Sequence, residues 1–175
     1  QDALKRKLIT KGGTIVEGTA GNTGIGLAIV CKEFDLNLKI VIPKTQSIEK
    51  KDTLKKLGAE LIEVDAVPYS NPKNYIKQSK QIAEELSKNN SNGVYWANQF
   101  DNVVNAEAHI QSTAEEIWSQ TAGSIDGFTC AAGTGGTLAG VSVGLKNKNK
   151  NIKIALSDPM GSSLYSHIKN KKLEI

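Results

Sequence analysis

Short apolar runs alternate along the chain with longer segments in which apolar residues recur at helical spacing. Such alternation is typical of βαβ units, in which a helix joins two parallel strands. We therefore predict an α/β fold with mostly parallel sheets and flanking helices. The runs that predict strands are Thr14–Glu17, Leu38–Ile42, Glu60–Val64, Val94–Trp96, Phe128–Ala131 and Ile152–Leu156.

Capping residues and helix stops mark where the predicted helices begin and end. The first of them is apolar on nearly every side, as expected of a helix inside an α/β core. The predicted helices run from about Asn22, from the cap Ser47 to the stop Gly58, from Asn71–Pro72 onward, from about Asn105 to Gly123, and through Leu138, Val141 and Leu145.

Composition narrows the class of protein. The chain has 175 residues, 39% of them hydrophobic and 23% charged, which is typical of a globular domain. Its net charge of +4 comes from lysines interleaved with acidic residues, and we interpret the densest run, Lys146–Lys153, as a solvated loop. We therefore predict no nucleic-acid partner. No apolar run reaches the roughly 18 residues of a membrane span, so no membrane association is predicted.

The cysteines and histidines give no sign of a metal site or a disulfide. Cys31 and Cys130 each lie inside an apolar run, which predicts two small buried side chains and a reducing compartment, the cytoplasm. His109 and His167 have no partner at metal-ligand spacing. We therefore predict no metal and place His109 at a helix surface or an interface.

Two turns built of small residues each follow a predicted strand and open a predicted helix. They are Thr19–Gly26, with the sequence Thr-Ala-Gly-Asn-Thr-Gly-Ile-Gly, and Gly133–Thr137, with the sequence Gly-Thr-Gly-Gly-Thr. The first N–H groups of a helix have no partner inside it, and the helix dipole makes that end positive. Glycines let an anion approach these donors, so two such turns predict two anionic groups, such as a phosphate and a carboxylate.

The first turn also resembles the nucleotide-binding turn of short-chain dehydrogenases. Tyr69 and Lys73 even have the Tyr-x-x-x-Lys spacing of that family. However, Pro72 lies between them at a predicted helix start, so the pair would not lie one turn apart on a regular helix. No acidic residue ends the second strand to hold a ribose hydroxyl. We therefore disfavour a dehydrogenase.

Taken in order, several strings resemble those of cysteine synthases and cystathionine β-synthases. Glu17–Ala28 is similar to the Ser-Gly-Asn-Thr-Gly segment of these enzymes, and Gly133–Thr137 is similar to their phosphate loop. The resemblance covers essentially the whole chain. The other strings that carry it are Pro43–Ser47, Leu57–Leu61, Asn98–Asn102 and Asp158–Gly161.

The resemblance implies pyridoxal 5'-phosphate as the cofactor and assigns roles to two groups of residues. Asn22 would hydrogen-bond the ring hydroxyl, and Gly133, Thr134, Gly135, Gly136 and Thr137 would hold the cofactor phosphate. Thr19, Ala20, Gly21, Thr23 and Gln99 would bind the substrate α-carboxylate. Ala20 stands where the family usually has serine, and a lost hydroxyl contact would cost about 1 kcal/mol.

The resemblance also implies a fold of the tryptophan synthase β-like type, fold type II among pyridoxal-phosphate enzymes, incomplete at both ends. Residues 1–37 and 91–175 would belong to the large cofactor domain. Residues 38–90 would form a smaller mobile subdomain that closes over the substrate. The family's Schiff-base lysine, in a Ser-x-Lys-Asp-Arg string, is expected upstream of Gln1, so this stretch alone should not catalyse.

The function implied by the resemblance is β-replacement, in which O-acetylserine and sulfide give L-cysteine. A small amino-acid substrate and a homodimeric intact protein are implied with it. Two alternatives stay open: a cystathionine β-synthase acting on serine and homocysteine, and a non-catalytic homologue that keeps the binding cradle without turnover.

Overall fold

A computed structural model of the chain describes residues 1–172 and divides it into two compact units, Gln1–Asn98 and a second unit that begins at Gln99. The elements of the first unit are α1 (Asp2–Lys5), β1 (Thr14–Gly18), α2 (Asn22–Glu33), β2 (Asn37–Pro43), α3 (Ile48–Lys56), β3 (Glu60–Val64), α4 (Tyr75–Ser87) and β4 (Val94–Trp96). Those of the second are α5 (Val104–Gln111), α6 (Thr113–Gln120), β5 (Gly127–Cys130), α7 (Gly136–Lys148), β6 (Lys153–Leu156) and α8 (Ser163–Asn170).

The first unit is built on a parallel sheet with the strand order β3-β2-β1-β4. The central strand β1 is buried along its whole length, and Ile40 and Ile42 of β2 are fully buried. Strands covered on both faces are buried without alternation, as β1 is, although it includes the polar residues Thr14 and Glu17. The sheet core continues through Leu54 of α3 and Ala28 of α2. The prediction of an α/β fold with parallel sheets is therefore confirmed.

Two of the predicted helix starts had different outcomes. Ser47 caps α3 as predicted, since its Oγ accepts a hydrogen bond from the N–H of Lys50 at 3.4 Å, and Gly58 follows the helix with a φ of +91°. The start predicted at Asn71–Pro72 is wrong. Asn74 caps α4 instead, with Oδ1 accepting from the N–H of Ile76 at 3.0 Å. Asn71 Oδ1 accepts from the N–H of Lys73, so the earlier asparagine closes a turn ahead of the helix.

In the second unit a two-stranded parallel sheet, β5-β6, lies beside packed helices. Val141, Leu145 and Ile152 form its buried centre. The single helix predicted from about Asn105 to Gly123 is two helices, α5 and α6, which are separated at Ser112 by non-helical backbone with φ −121° and ψ −71°. Both of them pack on α7.

Three glycines, spaced four residues apart on α7, form a row on one side of this helix. We call Gly136, Gly140 and Gly144 the glycine row. A Cβ at Gly140 would overlap the carbonyl oxygen of Ala106, and one at Gly144 would overlap the side chain of Ala114. The backbones of α5 and α7 therefore approach one another more closely than any side chain in this row would permit.

Several predictions of burial need correction. In α2, Ile29 is 58% exposed and Val30 43% exposed, so one side of this helix is apolar but not buried. Cys31 is buried as predicted, and burial raises the pKa of its thiol to about 11. Cys130 is only half-buried. The basic run at Lys146–Lys153 begins inside α7 rather than wholly in a loop, which places positive charge at the negative end of that helix.

No helix among residues 1–172 has the length and apolarity needed to cross a bilayer. The domain division predicted from the resemblance, at residues 37–38 and 90–91, stays a prediction.

Candidate functional site

The first small-residue turn joins β1 to α2. Thr19 is 3% exposed, and its Oγ1 accepts a hydrogen bond from the N–H of Gly21 at 3.2 Å. Gly21 is the N-cap of α2, and no acidic residue lies in the first turn of that helix. Asn22 is exposed, while Ala20 and Thr23 are half-buried. The turn thus presents the positive end of a helix with small side chains around it.

Two contacts around this turn were not predicted from the sequence. A Cβ at Gly24 would lie 3.1 Å from both Leu54 and Thr19, so the glycine lets α2 and α3 close tightly around the turn. The side chain of Lys50 crosses Gly21, with its Nζ 3.4 Å from the position that a Cβ on Gly21 would occupy. Lys50 therefore adds a full positive charge beside the turn.

The base of the same turn is packed against the start of α4. A Cβ at Gly18 would lie 2.8 Å from both the Ser79 hydroxyl and the Tyr75 carbonyl. Burial, and then the nearby Glu17 carboxylate, raises the pKa of the Tyr75 phenol, so this group stays neutral at physiological pH. The turn is therefore anchored on its sheet side by a tightly packed helix.

The second turn joins β5 to α7 and is shaped by hydrogen bonds to Thr134. Its Oγ1 accepts from the N–H of Gly136 at 3.2 Å and from Nδ2 of Asn105 at 2.9 Å. A hydroxyl has two acceptor sites and one proton. With both acceptor sites used, the Thr134 hydroxyl can make a further hydrogen bond only by donating its proton. Gly135 has a φ of +84°, which a glycine adopts without strain.

Around this turn lies a cleft of about 290 Å³. Gln99, Thr134, Gly135 and Gly136 are brought together along its lining, with Asn105 between the two segments. Asn105 Nδ2 also donates to the Gln99 carbonyl at 3.0 Å, so one amide ties the Gln99 segment to the turn. Gly133 and Thr137, although predicted with the others, do not line this cleft.

The donors at this turn fit a phosphate. A Cβ at Gly133 or Gly135 would meet no atom within 4 Å, so the space beside the turn is open. α7 is 13 residues long, and its first turn carries no acidic residue. The positive end of its dipole is therefore not neutralised by a nearby carboxylate. Backbone N–H groups at such an end, with a hydroxyl that can donate, are the donor set that binds phosphate esters.

His109 lies next to this turn, where α5 packs on α7, so of the two predicted positions, a helix surface or an interface, the structure shows an interface. It is half-buried on α5, with Nε2 3.1 Å from Oγ1 of Thr137 and Nδ1 2.9 Å from Oγ1 of Thr113. A His-x-x-x-Thr spacing on a helix could have suggested the second contact, because residues four apart share a face. Nothing local in the sequence indicated the contact with Thr137.

Comparison with known proteins agrees with this geometry. The pattern of the family described as "Pyridoxal-phosphate dependent enzyme" matches residues 1–174 of the chain. The chain belongs to this family. Pyridoxal phosphate is thus its cofactor, and the dehydrogenase interpretation of the first turn is not supported.

Among curated proteins of the pyridoxal-phosphate family, cysteine synthase 1 of Emericella nidulans is 50% identical over 171 residues, which cover 97% of this chain and 45% of that protein. A cystathionine beta-synthase of Apis mellifera is 41% identical over 165 residues, covering 94% of this chain and 32% of that protein. The chain therefore spans less than half the length of these curated relatives.

Solved structures show the same fold. A hydrogen sulfide-producing enzyme from Fusobacterium nucleatum superposes with a TM-score of 0.81 at 41% identity, covering 94% of this chain and 53% of that one. O-acetyl serine sulfhydrylase isoform 3 from Entamoeba histolytica superposes with a TM-score of 0.79 at 38% identity, covering 94% and 47%. The predicted fold of pyridoxal-phosphate enzymes of type II is confirmed.

Proposed function

We propose that the full-length protein is a cysteine synthase that converts O-acetylserine and sulfide to L-cysteine and acetate. The observation that carries this proposal is the similarity to cysteine synthase 1 over nearly all of the chain. In the proposed replacement, the bond from Cβ of the substrate to the ester oxygen breaks and a bond from Cβ to sulfur forms. Acetate leaves with the electron pair of the broken bond.

We assign the cofactor phosphate to the Gly133–Thr137 turn. The Thr134 hydroxyl, whose two acceptor sites are used by Gly136 and Asn105, can only donate to the phosphate. The N–H groups of Gly133 and Gly135 and the Thr137 hydroxyl complete the donor set at the positive end of α7, while the N–H of Gly136 donates to Thr134. Asn22, exposed at the start of α2, would donate to the ring hydroxyl of the cofactor. When bound, pyridoxal phosphate supplies the electron sink for the electrons at the substrate Cα.

We assign the substrate α-carboxylate to the first turn and to Gln99. The N-terminal N–H groups of α2, the Thr23 hydroxyl and the N–H of Ala20 would orient the amino acid by its acid group. Thr19 and Gly21 would shape the turn through the hydrogen bond between them. These contacts fix the direction of the Cβ bond that breaks, which is the positioning role that the chain performs. Ala20 offers only its backbone here, so the carboxylate would have one hydroxyl donor fewer than with serine.

The proposal is tested on the full-length protein with two measurements. The first is a titration with pyridoxal phosphate, followed by the appearance of a visible absorbance band. The second is cysteine formation from O-acetylserine and sulfide. Thr134→Val, which removes the donating hydroxyl, should weaken cofactor binding about ten-fold, as expected for a hydrogen bond to a charged group. A protein that binds the cofactor but forms no cysteine would refute the cysteine synthase assignment.

A second candidate function is cystathionine β-synthase, and the similarity to the Apis mellifera protein supports it. The two activities would use the same binding turns with different nucleophiles. A parallel assay with serine and homocysteine separates them, since product from that pair alone would favour the second candidate. A protein without either activity that still binds pyridoxal phosphate would be the non-catalytic homologue.

We further propose that the full-length protein works as a homodimer in a reducing compartment, the cytoplasm. The compartment is supported by Cys31 and Cys130, which are both free thiols. Analytical ultracentrifugation of the purified full-length protein tests the oligomeric state, and a monomer would contradict the homodimer. Microscopy of the tagged full-length protein tests the compartment.

A further inference from the structure

Both ring nitrogens of His109 are engaged with threonine hydroxyls. Nδ1 lies 2.9 Å from Oγ1 of Thr113, one turn further along the chain, where α6 begins. Nε2 lies 3.1 Å from Oγ1 of Thr137, in the first turn of α7. The imidazole therefore connects the α5–α6 junction with the turn assigned above to the cofactor phosphate.

The glycine row explains why this ring reaches the turn. A Cβ at Gly140 would lie 2.6 Å from Cβ of His109 and would overlap the backbone of Ala106. Because Gly140 carries no side chain, α5 rests directly on α7 one turn beyond Thr137. The imidazole then spans the short remaining distance to the threonine hydroxyl. The contact is set by the helix packing and does not depend on a flexible side chain reaching out.

The direction of these hydrogen bonds decides what Thr137 can offer to an anion. A neutral imidazole has one N–H donor and one acceptor nitrogen. If the Thr113 hydroxyl donates to Nδ1, the ring proton is on Nε2 and is donated to Oγ1 of Thr137. The Thr137 proton is then available to a phosphate oxygen. With the proton on Nδ1 instead, the Thr137 hydroxyl would donate its proton to Nε2 and present only lone pairs, which repel an anion.

The neighbouring Thr134 supports the first arrangement. Its hydroxyl accepts from Gly136 and Asn105, so its proton is left to donate. A hydroxyl binds a phosphate oxygen only by donating its proton. Asn105 helps to leave Thr134 as a donor, and His109 occupies the corresponding place behind Thr137.

We propose that His109 is a positioning residue of the phosphate turn: its Nε2–H donates to Thr137 and turns the threonine hydroxyl into a donor for the cofactor phosphate. Thr113 holds the tautomer by donating to Nδ1. This inference rests on the proposed function, since it requires that the Gly133–Thr137 turn binds the phosphate of pyridoxal phosphate.

The test compares pyridoxal phosphate with pyridoxal, which lacks the phosphate, by measuring both dissociation constants on the full-length protein. His109→Leu should weaken binding of pyridoxal phosphate about ten-fold and leave that of pyridoxal unchanged. His109→Gln, whose amide can still donate to Thr137, should recover part of the loss. His167→Gln, at the other, exposed histidine, is the matched control and should bind both compounds like the wild type.

An equal loss of both affinities in His109→Leu, or no loss at all, would overturn the positioning role. If the wild type bound neither compound, the proposed cofactor function itself would fail. A second readout needs no variant at His109. Long-range proton–nitrogen NMR spectra of the full-length wild type identify which ring nitrogen carries the proton. His167→Gln is used to assign the histidine signals. The proton is expected on Nε2, and a neutral ring protonated on Nδ1 would refute the inference.

Discussion

The hydroxyl of Thr19 accepts a hydrogen bond from the backbone N–H of Gly21 at 3.2 Å, immediately before α2 begins. Thr134 and Gly136 repeat this contact at 3.2 Å where α7 begins. In each case a threonine in the loop between a strand and a helix accepts a hydrogen bond from the backbone two residues later. The two units thus open their long helices with the same local hydrogen bond, although their sequences around it differ.

The Thr19 contact should matter for stability because the side chain is buried. Thr19→Val keeps the shape and leaves the Gly21 N–H without its acceptor, which should lower the free energy of unfolding by about 1–2 kcal/mol. Urea denaturation of the full-length protein measures the change. Thr19→Ser keeps the oxygen and is the control, and a free energy of unfolding in Thr19→Val equal to that of the wild type would contradict the role of the hydrogen bond.

The glycine row should be intolerant of any side chain. Gly140→Ala forces a methyl group onto the backbone of Ala106, so α5 must move away from α7, at a cost of about 1–3 kcal/mol in stability. Gly26→Ala is the matched control, because a Cβ there meets no atom within 4 Å and alanine favours the helix by about 1 kcal/mol. Thermal unfolding of the two variants should therefore shift in opposite directions.

Lys50 should contribute to substrate binding by its charge. Lys50→Gln removes the ammonium group beside Gly21 and should raise the Michaelis constant for the amino-acid substrate about three- to five-fold, with an unchanged turnover number, as expected for one solvated charge. Lys56→Gln, in the last turn of the same helix, is the control. Equal Michaelis constants for Lys50→Gln and the wild type would place the anion elsewhere.

The contact between Lys51 and Glu63 should make stability depend on pH. Lys51 Nζ donates to Glu63 Oε2 at 2.6 Å and to the Lys44 carbonyl at 2.8 Å, and this hydrogen bond holds the pKa of the Glu63 carboxyl below its ordinary value of 4.5. A carboxyl with a lowered folded-state pKa stabilises the fold above its unfolded-state pKa. That contribution is lost as the pH falls through the folded-state value.

Wild type should therefore have a higher Tm than Glu63→Gln at pH 7, and the difference should shrink progressively below pH 4.5. Differential scanning calorimetry across this range measures it. Glu84→Gln is the control, because the Glu84 carboxylate lies 3.9 Å from Lys80 in an exposed pair that should contribute little at any pH. A difference between wild type and Glu63→Gln that is constant down to pH 3 would contradict the assignment.

Hydrophobic patterning predicted each of the six strands among residues 1–172 to within one residue at either end, because each strand holds a short apolar run. It was less reliable where two local signals compete. Asn71–Pro72 and Asn74 are both credible helix caps, and only packing of α4 against β1 selects the second. The break at Ser112 carries no glycine or proline, so one helical pattern concealed two helices.

The two small-residue turns could be recognised from the sequence because their glycines and threonines are contiguous. The residues that orient them could not. Asn105 and His109 belong to a different element from Thr134 and Thr137, and they meet only because α5 packs against α7. Lys50 likewise comes from α3 to lie over Gly21. Contacts of this kind depend on tertiary packing, which a one-dimensional pattern does not encode.

The glycine row has a consequence for how this protein can vary. At Gly140, α7 lies directly against the main chain of Ala106 in α5, and every amino acid has the same main-chain atoms. Residues on the solvent side of α5 can therefore drift among homologues without changing the distance between the two helices. Selection would act instead on the three glycines of the row, which must stay without side chains to keep the geometry of the turn.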